Sequence, residues 1–110
     1  VDMLVGMFDL SERRKFEVKK PDGSVGMTLY FKAITRADRK RAQSLANSDQ
    51  ALDISTQMLC QMAEREDGSK AFASADVPKL QRELPEKILN ELELFLFDLE
   101  EEKVDESKND

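Results

Sequence analysis

Between residues 14 and 31 the chain alternates apolar and polar positions. Phe16 and Val18 fall on one face of a first run, and Val25, Met27, Leu29 and Phe31 on one face of a second. This is the period of two that a half-buried strand requires. Between the runs, Pro21-Asp22-Gly23 presets φ at the turn entry and tolerates a positive φ at its exit, which predicts a β-hairpin over residues 14–32. A lone hairpin cannot bury both of its faces. Its apolar face needs a cover, supplied either by the helices of this chain or by another copy.

Past residue 34 the period changes. Thr35 and Asp38 stand three apart ahead of a stretch without Gly or Pro, resembling a capping box with Asp in place of Glu, and predict a helix over residues 36–46. Its apolar positions, Ala37, Ala42, Leu45 and Ala46, are small and few, while Arg36, Arg39, Lys40 and Arg41 crowd its first turns. Cations at a helix N-terminus are unfavourable; acidic groups of the same chain or of a partner would relieve them. Asn47-Ser48-Asp49 breaks the pattern and offers N-caps for a second helix over residues 50–65, with Leu52, Ser55, Leu59, Met62 and Ala63 on one stripe. Residues 66–70 read as a turn, and Phe72 as an isolated apolar anchor. Ser74 or Asp76 then caps a short helix over residues 76–84, which tolerates Pro78 in its first turn.

Pro85 opens the most strongly patterned helix, over residues 85–101, with Glu86 in its first turn. At about 100° per residue, Ile88, Leu89, Leu92, Phe95, Leu96 and Leu99 share one broad stripe. Leu94 and Phe97 point roughly the other way. A helix apolar on more than one side is buried on more than one side. Two covers are open for Leu94 and Phe97: the hairpin or the 76–84 helix of the same chain, or a second subunit. The predicted class is α+β and mostly helical, one N-terminal hairpin packed on three to four helices. These form a single domain over residues 13–102, between an N-terminal segment 1–12, whose first six residues carry no weight, and a disordered acidic tail 103–110.

Composition adds a polarity to this outline. The 110 residues are 40% hydrophobic and 36% charged, enough for one modest core. Residues 1–48 hold ten Lys and Arg against six Asp and Glu, a net of +4, whereas residues 49–110 hold seven against seventeen, a net of −10. A self-associating chain of this kind offers a basic surface to a neighbour's acidic one.

The same composition removes most chemistry. Histidine is absent and Cys60 is the single cysteine, which excludes an internal disulfide, the usual zinc sites and the Ser-His or Cys-His nucleophile pairs. Among Met58, Leu59 and Met62, Cys60 reads as a small buried hydrophobe. The glycines of residues 21–26 lie between strands and precede no helix, so they form a turn and not a phosphate cradle. No apolar run reaches about 18 residues, and residues 1–10 lack the order of a signal peptide. A soluble cytoplasmic protein without enzymatic activity, metal or cofactor is expected. The basic set Arg36, Arg39, Lys40 and Arg41 also keeps open a small nucleic-acid-associated regulator using helix 36–46, although the chain is acidic and no aromatic residue interleaves the cations. A monomeric adaptor is the third reading.

The order of elements resembles a known family. A strand ending in an aromatic residue runs into a capped helix (Phe31 to Asp38), an acidic-Gly connector leads to a phenylalanine (Asp67, Gly68, Phe72), and Leu84-Pro85-Glu86 opens the last helix. Together these resemble the tail assembly chaperones of long-tailed bacteriophages, over residues 14 to about 100. The resemblance implies a small, mostly helical, non-catalytic protein of the host cytoplasm. It further implies homo-oligomers that coat the tape measure protein before the tail tube polymerises. A C-terminally extended form, made by frameshifting, would recruit tail tube protein. Leu94, Phe97, Arg36, Arg39, Lys40 and Arg41 are the expected oligomer or client interface, with no membrane partner and nucleic acid as the alternative.

Overall fold

The alternating runs pair as an antiparallel hairpin, β1 (Arg13–Lys19) with β2 (Val25–Lys32), setting Phe16 opposite Leu29 and Val18 opposite Met27. The computed structural model describes residues 1–98; the continuation of the last helix to residue 101 and the acidic tail 103–110 lie outside the described residues. At the hairpin turn Gly23 takes φ 91°, as the Pro-Asp-Gly pattern demands. Asp22 accepts hydrogen bonds from the Ser24 amide (2.9 Å) and hydroxyl (2.6 Å), which closes the turn.

Ahead of the hairpin a short helix, α1 (Asp2–Gly6), has no buried residue. Beyond it, α2 (Arg36–Ala46) starts on a complete capping box. The Asp38 amide donates to Thr35 Oγ1 (3.2 Å), and the Thr35 amide donates to Asp38 Oδ2 (3.0 Å). Asn47 ends this helix in the left-handed region, at φ 52°.

Helix α3 (Ala51–Met62) stops short of the expected residue 65. Ala63 turns extended, and Glu64 exchanges two backbone hydrogen bonds of 2.9 Å with Tyr30 on the outer edge of β2. An edge strand carries unpaired N–H and C=O groups, and satisfying them replaces the last helical turn. The buried residues of α3 also depart from the expected stripe. Leu52 is 69% exposed, whereas Thr56, Gln57, Met58, Leu59 and Cys60 are all buried. Five consecutive buried residues surround α3, which packs against α2, α4 (Val77–Glu83) and α5 (Glu86–Leu96); the last helix is covered on more than one side too, since none of residues 91–97 is exposed and Leu94 and Phe97 are half-buried.

A 3₁₀ turn, Ser74–Asp76, leads into α4, with the Asp76 carboxylate accepting from the Ala73 amide at 2.8 Å. The core gathers Leu29 and Phe31 of β2, Ala42 of α2, Met58 and Leu59 of α3, and Leu92 and Leu96 of α5. Helix α5 covers the base of the hairpin through Phe95, whose ring lies 4.9 Å from that of Phe16 and 5.7 Å from that of Phe31. Toward the turn the cover gives out, and Val25 and Met27 remain exposed.

Candidate interaction surfaces at the two ends of the last helix

Helix α5 is about 16 Å long at 1.5 Å per residue, and a cleft opens at each end of it. At its C-terminal end a cavity of about 780 Å³ is lined by Arg14, Arg36, Arg39, Lys40, Leu96 and Phe97. Arg14 is built into the helix end. Its guanidinium donates to the Leu96 carbonyl (3.1 Å), lies 3.8 Å from the Asp98 carboxylate and stacks 4.4 Å from the Phe95 ring centre. A cation on the last carbonyls of a helix is favourable. Arg39 lies over the Phe97 ring at 5.5 Å, and Arg41 pairs with Asp38 at 3.4 Å. Arg36 and Lys40 are exposed and have no ion pair among the described residues.

Of the six residues expected at an interface, the fold therefore brings Arg36, Arg39, Lys40 and Phe97 to one cleft. Arg41 points to its own helix cap, and Leu94, half-buried, lines neither cleft described here. Phe97 is half-buried against the core and under Arg39. Arg14 is a residue that sequence reasoning passed over. Its parity was the signal, because it shares the inward face with Phe16 and Val18.

At the opposite end of α5 lies a second cleft of about 350 Å³, with Asp53, Glu86 and Glu93 between Leu52, Leu84 and Leu89. Among the described residues no Lys or Arg lines it. Glu93 is only 9% exposed; its Oε2 accepts from the Thr56 hydroxyl at 2.9 Å. That hydroxyl also lies 3.0 Å from the Leu52 carbonyl, so its one proton serves two acceptors. Burial pushes the Glu93 carboxyl above its ordinary range, against the lowering effect of the Thr56 bond. Asp53 at the rim is held below the usual carboxylate range by its hydrogen bonds to Ser48 (2.8 Å) and Gln81 (3.1 Å). Glu93 was only partly legible: it follows Leu89 by four residues and so borders the apolar stripe without lying in it.

Other chemistry is sparse. The buried Cys60 thiol is pushed up to about 12, first by burial and then by the charges of Asp76 and Glu93, which makes it a packed hydrophobe and not a nucleophile. No group of three metal-ligating side chains occurs among the described residues, and none of their helices is long and apolar enough to cross a membrane. Apolar surface is concentrated at the N-terminus, where Val1, Met3, Leu4, Val5, Met7, Phe8 and Leu10 are 51% to 96% exposed.

No known family profile and no curated protein sequence matches the chain. Among solved structures, the bacteriophage HK97 tail assembly chaperone superposes on it with a TM-score of 0.55 at 15% identity, over 91% of this chain and 93% of that one. The fold is that of a phage tail assembly chaperone. On this fold the two clefts of opposite sign lie along its last described helix.

Proposed function

We propose that this chain is a phage tail assembly chaperone that self-associates and coats the tape measure protein in the host cytoplasm before the tail tube forms. The observation that carries this reading is the likeness of fold to a solved tail assembly chaperone over 91% of the chain. Three features support it. Apolar side chains stand exposed along residues 1–10 and at the hairpin tip. A basic cleft and an acidic cleft lie at opposite ends of one helix. The side chains at these surfaces suit docking of polypeptide, in keeping with a non-enzymatic role. A form extended beyond residue 110 would recruit tail tube protein.

Sedimentation of the purified chain over a concentration series tests the association, and co-expression with a tape measure protein tests the client. The expected results are a mass above the monomer and a client kept soluble. Leu94→Asp with Phe97→Ser is expected to lower the assembly mass; because Phe97 also packs on the core, circular dichroism separates lost association from lost fold. A monomer at every concentration that leaves the client insoluble would overturn the reading. Retention on duplex DNA at low salt, lost in Arg39→Glu/Lys40→Glu/Arg41→Glu, would favour the nucleic-acid reading in its place.

A further inference from the structure

The basic edge of α2 has an acidic counterpart on the same molecule, a cleft along Glu86–Glu93 of α5, with which Arg36 and Lys40 form no ion pair among the described residues. Within the self-association proposed above, we infer that the acidic cleft bounded by Asp53, Glu86 and Glu93 receives Arg36 and Lys40 of a second copy.

Both sides of this contact are left incomplete within one chain. In the cleft, Glu93 is nine-tenths buried, and no cation or Oε1 donor reaches it among the described residues. A buried carboxylate without a cation is costly. An incoming guanidinium or ammonium supplies the missing charge and the missing donor together. The walls fit the rest of such a side chain, since Leu52, Leu84 and Leu89 provide apolar surface for its methylene stem. On the other side, Arg36 and Lys40 are four apart and project from one face of α2. Arg36 is the first helical residue, where its charge opposes the helix dipole. A partner's carboxylate relieves that opposition. Because two different surfaces meet, the contact is heterologous: every copy keeps one basic and one acidic surface for further neighbours.

Two full-length variants test it. Glu86→Lys/Glu93→Gln blunts the acidic cleft, and Arg36→Glu/Lys40→Glu reverses the basic edge while placing favourable charge at the start of α2. Circular dichroism first establishes that each is folded. Glu86→Lys alone, at an exposed position, carries the same expectation if the double cleft variant does not fold. In sedimentation velocity each variant alone is expected to associate at least about tenfold more weakly than the wild type. An equimolar mixture of the two is expected to form a mixed species containing both variants, because the intact basic edge of one still meets the intact cleft of the other. Folded variants that assemble as the wild type does, or that mix without forming this species, overturn the inference and leave self-association standing. A wild-type chain that is monomeric at all concentrations overturns both.

Discussion

Glu93 is where a single residue sets stability against pH. Its carboxyl is raised in the folded chain by burial, so the fold favours the protonated form. The sign follows from linkage. The stabilising contribution of the protonated carboxyl is complete below the ordinary carboxylate range and is lost as pH rises through the raised folded value. Glu93→Gln mimics the protonated form and should raise the thermal midpoint at pH 7, with the advantage shrinking as the pH is lowered toward 4; paired melts at the two pH values check it. Thr35 carries a different kind of load. It accepts the Asp38 amide at 3.2 Å, and Thr35→Ala should cost about 1 kcal/mol in urea denaturation. Phe31 has no exposed surface and touches both hairpin and helices, so Phe31→Ala should cost about 3–5 kcal/mol by the same measurement.

At the scale of elements, what the sequence made legible was local. The hairpin register follows from alternation around Pro21-Asp22-Gly23, and the start of α2 from Thr35 and Asp38, because each depends on residues a few positions apart. What escaped was set by distant partners. Helix α3 gives up its last turn to pair Glu64 with Tyr30, thirty-four positions earlier in the chain, and no periodicity in residues 60–65 encodes that. Leu52 looked like core by spacing, yet α3 is enclosed only from Thr56 onward, and Leu52 ends as a lip of the acidic cleft. The basic cluster on α2 was legible as a cluster; its joining with Phe97 required the turn of the chain at the end of α5. If the Glu64 pairing holds the edge of β2, Glu64→Pro should remove the N–H donated to Tyr30 and speed amide exchange in β2 more than in α5.

On the scale of the whole molecule, charge is sorted between the two clefts as well as along the chain. Basic groups line the cleft at Leu96 and Phe97, and among the described residues acidic groups line the cleft along Glu86–Glu93. Association driven by such separation should weaken as salt shortens the Debye length, from about 10 Å at 0.1 M to about 3 Å at 1 M; light scattering across that range checks it. The enclosed sulfur in the middle of α3 bears on how all of this can be observed. With Cys60 shut away and its thiol held near 12, maleimide chemistry passes over the native chain. A cysteine newly placed at Lys15 or Lys79, exposed and outside both clefts, would then be the sole attachment point for a fluorophore or spin label, with no native sulfur to mask first, so distances between neighbouring copies become directly measurable.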